Sequence, residues 1–170
     1  MAKKAERIML EVFIYVILNI KYLYKNCPLL DEIDETAQAI GAVNLVTFEE
    51  GKIKGSNSDA YGFIQNLRQA NLLDVQALES VLVLGAGGAA RAVVYGLLQA
   101  EAKKVTLCNR TTARAVALAE SLAPHFSKES EIAVVEWEDR HKAVFEASLL
   151  VNSSSLGMTG QPPLEISLEK

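Results

Sequence analysis

Residues 81–91 read VLVLGAGGAAR, an apolar run that ends in glycines. Val81–Leu84 is a short, wholly apolar run with β-branched members and no polar alternation, which suits a buried strand. A glycine-rich turn follows at once. Beyond it, Ala89–Ala100 carries Val93, Val94, Leu97 and Leu98 as a helical stripe. In GAGGAA the three small positions fall on Gly85, Gly87 and Ala90. The first permits the tight turn from strand to helix, the second lets backbone approach a pyrophosphate, and the third lets helix pack closely on strand. Phosphates then sit over the free N–H groups at the helix start, where the partial positive charge favours them. The candidate phosphate-binding residues are Gly85, Ala86, Gly87, Gly88 and Ala89.

The next strand, at 105–115, reads VTLCNRTTARA and ends on Asn109-Arg110 where an acid is common. A carboxylate at that place accepts hydrogen bonds from a ribose 2′-hydroxyl and repels a 2′-phosphate. A guanidinium binds the phosphate with paired, charge-assisted hydrogen bonds. Arg110 stands at the strand end, Arg114 lies one helical turn further on, and Thr111 is placed to cap the helix and offer its hydroxyl. Cations at a helix start are disfavoured by the dipole, which argues for an anionic ligand there. Asn109, Arg110, Thr111 and Arg114 therefore select NADP over NAD.

Downstream, Thr111–Ala123 predicts another helix, with Ala115, Leu118, Ala119 and Leu122 on one face. Ile132–Val135 and Leu149–Val151 predict two more short strands. Strands alternating with helices imply an α/β domain, a Rossmann-like doubly wound parallel sheet. Upstream, 29–40 has Ile33, Ala37 and Ile40 at helical spacing with Gly41 as the expected C-cap. AVNLVTF and IKG read as two strands joined by EEGK, and a helix follows Asn57–Asp59. The expected division is 1–60 for part of a smaller α/β substrate-binding domain and 61–170 for the nucleotide domain.

Composition narrows the class. The 17 basic and 21 acidic residues leave a net charge of −4, with no basic patch for nucleic acid. Cys27 and Cys108 are too few for a disulfide framework and are not spaced for metal, so a reducing cytoplasm is the expected compartment. The apolar run from Ile8 to Ile20, interrupted by Glu11 and Asn19, is short for a membrane span and predicts a buried strand or helix. No small-residue cleavage site follows it. His125, His141, Trp137 and Cys108 read as solvated or packing residues. The serines at 153–155 have no histidine nearby in sequence and read as lining the nicotinamide side of the cleft.

Several segments together resemble the shikimate dehydrogenase family. AIGAVNLV (39–46) resembles its AxGAVNT segment, and GSNSDAYGF (55–63) its GxNTDxxGF segment. GAGGAARA (85–92) and NRTTARA (109–115) resemble its cofactor signatures, and NSSSLGMTGQPPL (152–164) its NATPxGMxGxPPL segment. The resemblance implies an NADP-dependent oxidoreductase that interconverts 3-dehydroshikimate and shikimate, in the pathway to chorismate and the aromatic amino acids. It implies that Asn44 hydrogen-bonds the substrate hydroxyls, and that Asp59 contacts substrate and takes part in catalysis beside a lysine. A homodimer is compatible with these features, and neither nucleic acid nor membrane is expected as a partner.

The chain also departs from the pattern. Against the family's NVTxPxK segment it offers NIKYLYK (19–25), with Lys21 at the threonine position and Leu23 at the proline position; Lys25 is the candidate catalytic lysine. Residues 1–18 contain no serine, so the family's substrate-carboxylate serine pair has no counterpart there. The family also continues past the equivalent of residue 170, which predicts a truncated chain with an incomplete nucleotide sheet. A piece that binds NADP without turnover, and a relative acting on quinate, are the alternative readings.

Overall fold

The structure is a computed structural model that describes residues 29–73, 78–125 and 130–167. The apolar run at 8–20, Lys25 and Cys27 lie outside the described residues. The chain divides between Ser58 and Asp59 into two compact units.

In the first unit, β1 (Glu32–Ile33) pairs parallel to β3 (Lys52–Ser56), and β2 (Leu45–Glu49) pairs antiparallel to β3. Helix α1 (Glu35–Ile40) packs Ala37, Ala39 and Ile40 inward. The periodicity of 29–40 predicts one helix, but the helix begins only at Glu35. The Asp34 carboxylate accepts the Ala37 N–H at 2.6 Å and caps it, while Glu32 and Ile33 pair with Lys54 and Gly55 as strand. Sheet pairing outcompetes the helical spacing there, and the C-cap falls on Gly41 as expected, at φ 73°. Glu50 and Gly51 both have positive φ and close the β2–β3 hairpin. Gly55 has no room for a side chain: a Cβ there would lie 2.9 Å from Leu30 Cδ1 and 3.0 Å from Val43 Cγ2.

The second unit opens with α2 (Asp59–Gln69) and continues as β4 (Val81–Leu84), α3 (Gly88–Gln99), β5 (Lys104–Cys108), α4 (Thr112–Leu122), β6 (Glu131–Val135), α5 (Arg140–Glu146) and β7 (Leu149–Asn152). All four strands are parallel, in the order β6-β5-β4-β7. Strand β4 sits inside and is buried on both sides, so its four residues can all be apolar. Val81 and Val83, with Val105 and Leu107 of β5, pack against Ile64 of α2, Val94 and Leu97 of α3 and Leu118 of α4. Leu82, Leu84 and Cys108 point to the opposite face, where Ala143 of α5 covers them with Leu164 and Ile166 packed alongside. Helix α5 escapes sequence reading because seven residues with one buried side chain give no periodic stripe.

The α2–α3 contact needs one glycine, Gly96, while a second, Gly62, lies away from it. Gly96 lies against the Ala60 carbonyl oxygen and Ile64 Cγ1, both 3.1 Å from where a Cβ would stand; Gly62 has nothing within 4 Å. Gly96→Val is expected to destabilise the protein by about 1–3 kcal/mol through overpacking. Gly62→Ala is expected to stabilise it by about 0.5–1 kcal/mol through helix propensity. Chemical denaturation of the two variants checks the pair, and shifts of the same sign would contradict this packing.

Candidate functional site

The chain runs β4, β5, β6 in one direction across the sheet and then returns to place β7 on the other side of β4. The loops after β4 and β7 therefore diverge to opposite faces and leave a crevice beyond their carboxyl ends, the place where open α/β sheets bind ligands. A cleft of about 260 Å³ lies there. Gly85, Ala86 and Gly87 line it after β4, Asn109, Arg110 and Arg114 after β5, Trp137 after β6, and Ser153 to Leu156 after β7.

The turn after β4 is held from both sides. The Gly85 N–H donates to the Cys108 carbonyl at 2.8 Å, and the Leu84 carbonyl accepts from the Ser153 N–H at 2.9 Å and the Ser153 hydroxyl at 2.8 Å. Gly85 adopts φ 110°, and a Cβ on it would meet Ser153 Oγ at 2.9 Å. Its requirement for glycine is both conformational and steric. Gly87, at the N-cap of α3, and Gly88 after it have no protein atom within 4 Å of a built Cβ. That open cradle, over a helix start whose first N–H groups have no acceptor within the helix, fits a pyrophosphate. Gly88 and Ala89 belong to this first turn but are not part of the cleft wall.

At the end of β5, Arg110 and Arg114 are exposed and border the same cleft, and neither forms an ion pair among the described residues. The nearby acid Glu136 instead accepts from the Thr112 hydroxyl. Thr111 is the N-cap residue of α4, but its side chain makes no capping hydrogen bond and it is not in the cleft wall, which differs from the capping role expected from sequence. The Asn109 side chain donates to the Thr111 carbonyl at 2.9 Å and so shapes the bend that presents Arg110. Two unpaired guanidinium groups at a helix start fit a dianionic 2′-phosphate.

Burial pushes the Cys108 thiol up to about 11, so it stays protonated and is no nucleophile. The loop after β7 is pinned by Asn152, whose side chain accepts from the Ser154 N–H at 3.0 Å and donates to the Leu156 carbonyl at 2.9 Å. Trp137 reads from sequence as a packing residue. It does pack on the Leu82, Leu84, Cys108 and Ala143 cluster, yet it also borders the cleft. The available signal was its position just past a parallel strand's carboxyl end; the glycine fingerprint addresses only the first two strands and misses it.

The expected substrate residues fall in both units. In the first unit the Asn44 side-chain oxygen accepts from the Ser58 N–H at 2.9 Å, and the buried Asn57 donates to the Ala42 carbonyl at 3.1 Å. Together they tie the end of β3 to the loop before β2. In the second unit Asp59 is exposed and is the first residue of α2, where an acid suits the helix dipole.

A parallel sheet that reverses beside a glycine turn, with cations at the next strand end, is the architecture of Rossmann-type dinucleotide-binding domains. Residues 67–157 match the model of the shikimate/quinate 5-dehydrogenase family, and the chain belongs to that family. It is 44% identical over 142 residues to the NADP(+) shikimate dehydrogenase of Dinoroseobacter shibae, covering 83% of this chain and 49% of that protein. Among solved structures, quinate dehydrogenase from Corynebacterium glutamicum in complex with NAD matches with a TM-score of 0.75 and 32% identity, over 86% of this chain and 52% of that one. Shikimate 5-dehydrogenase from Thermus thermophilus in complex with NADP(H) and shikimate matches with a TM-score of 0.61 and 40% identity, over 76% and 43%. The chain spans about half the length of the curated relatives it matches.

The two glycines of the turn are expected to separate fold from site. Gly85→Ala should lower stability by about 1–3 kcal/mol. Gly87→Ala should leave stability within about 0.5 kcal/mol, because its new methyl meets only the cleft. Thermal or urea unfolding checks this; equal losses would show that the turn is not braced by Ser153.

Proposed function

We propose that this chain carries the NADP-binding domain and part of the substrate-binding domain of a shikimate dehydrogenase, the cytoplasmic enzyme that reversibly reduces 3-dehydroshikimate to shikimate with NADPH. The single observation that carries the reading is that Arg110 and Arg114, without carboxylate partners among the described residues, share one cleft with Gly87, whose Cα faces open space at the start of α3. Membership of the family supports the substrate.

In this reading the turn from Gly85 to Ala89 holds the pyrophosphate, and Asn109, Arg110, Thr111 and Arg114 form the 2′-phosphate side. When bound, the nicotinamide supplies hydride transfer. The chain's own residues position the substrate and handle the proton. Asn44 and Asp59 bind the substrate hydroxyls, and Asp59 with Lys25 forms the acid/base pair. Residues 1–60 belong to the substrate domain and 61–170 to the cofactor domain. A quinate-directed relative is the second reading, favoured by the 0.75 TM-score to the quinate dehydrogenase. That structure holds NAD, so cofactor choice discriminates the two.

The test is NADPH formation from shikimate and NADP by this chain, with binding followed by calorimetry. Asp59→Asn is expected to lower turnover by about 10²–10⁴-fold with NADP affinity unchanged. Arg110→Ala is expected to weaken NADP by about 10–100-fold, in line with the loss of hydrogen bonds to a charged group, and NAD hardly at all. Equal losses for both cofactors would remove the 2′-phosphate role. NADP binding without turnover would mark the chain as a cofactor-binding piece.

A further inference from the structure

Trp137 is the single tryptophan of the chain, and among the cleft-lining residues it is the single aromatic one. Its indole is held in place from two sides. On one side it packs against Leu82, Leu84, Cys108 and Ala143. On the other, the Arg140 guanidinium lies 4.8 Å from the ring centroid, within cation–π range. That guanidinium is itself tethered: its Nη1 donates to the Trp137 carbonyl at 3.0 Å and its Nε to the Glu165 carbonyl at 3.4 Å. The remaining surface of the indole faces a cleft whose other walls are small, polar or cationic apart from Leu156.

The order of the strands says what could meet it. From β7 to β6 the cleft passes the serine loop, the glycine turn, Arg110 and then Trp137. A 2′-phosphate and a purine hang from adjacent carbons of one ribose. With the phosphate at Arg110 and the pyrophosphate at the glycine turn, the purine has the β6 side left to it. One strand spacing, about 4.8 Å, separates those positions at the sheet, well within the reach of a sugar and its base.

We propose that Trp137, braced by Arg140, is the adenine platform of this cleft and contributes affinity for any adenosine ligand, whether or not it carries the 2′-phosphate. The proposal rests on the NADP reading above and adds a residue with a different ligand preference from Arg110. Arg110 discriminates between 2′-phosphorylated and plain adenosine ligands. Trp137 strengthens both by the same factor.

The experiment is calorimetric titration of this chain with adenosine 2′,5′-bisphosphate, AMP and nicotinamide mononucleotide, alongside tryptophan emission. Trp137→Ala is expected to weaken both adenosine ligands by about tenfold, within the range for a base on an aromatic side chain. Their affinity ratio and the binding of nicotinamide mononucleotide should stay unchanged. Trp137→Phe keeps a ring on the core and should retain affinity within about threefold, which separates lost stacking from lost folding. In the unsubstituted chain, adenosine 2′,5′-bisphosphate should change the emission of Trp137. Calorimetric binding with unchanged emission and an unaffected Trp137→Ala variant would overturn the platform and leave the NADP reading intact. A Trp137→Ala loss confined to the 2′-phosphorylated ligand would also overturn it. No binding of either adenosine ligand to the unsubstituted chain would overturn both.

Discussion

Strand β4 has to be removed from water on both of its faces at once, and the second unit is arranged around that constraint. Val81 and Val83 need cover on one side, Leu82 and Leu84 on the other, and all four are fully buried. Parallel neighbours β5 and β7 complete its backbone hydrogen bonds, while helices α2, α3 and α4 cover one face and α5 the other. Each fully buried aliphatic side chain contributes roughly 1.5–3 kcal/mol of transfer free energy. The strand is thus a strong organiser, but only when elements distant in sequence supply both faces.

The cleft is a by-product of meeting that constraint. Because β7 joins β4 from the side opposite β5, connections leave the sheet in two directions and cannot fill the space beyond its carboxyl end. The fold then lines this gap with groups that suit anions. Glycines keep side chains out of it, a helix start turns N–H groups toward it, and Arg110 and Arg114 supply charge. Ser153 links the two halves, since its backbone and hydroxyl both bond to the last carbonyl of β4. The loop that borders one end of the cleft therefore also braces the glycine turn at its centre.

Glu136, just past β6, does not pair with the arginines of the cleft. Its carboxylate takes the Thr112 hydroxyl instead, and among the described residues no carboxylate pairs with Arg110 or Arg114. An unpaired cation pair at the positive end of a helix is unfavourable without an anion. Functional sites commonly carry such local conflict, and its resolution by ligand is the physical content of the cofactor proposal.

Much of this was legible from one dimension. The apolar run at Val81–Leu84, the glycine turn and the Asn109-Arg110 ending specify strand, turn, helix and charge through local chemistry alone, because each depends on residues within a few positions of one another. The helical stripes at Val93–Leu98 and Ala115–Leu122 were equally plain. What lay beyond the sequence were outcomes of competition at long range. Glu32 and Ile33 left the helix that their spacing suggested because β3 offered them backbone partners. The Thr112 hydroxyl found Glu136, 24 residues away. Trp137 became a wall of the cleft because β6 lies next to β5 and Arg140 covers its ring. Local chemistry is enough to set the elements and the charge at their ends. Which ends share a cleft follows from the packed fold alone, because strand order is set by burying both faces of β4 and not by any local preference.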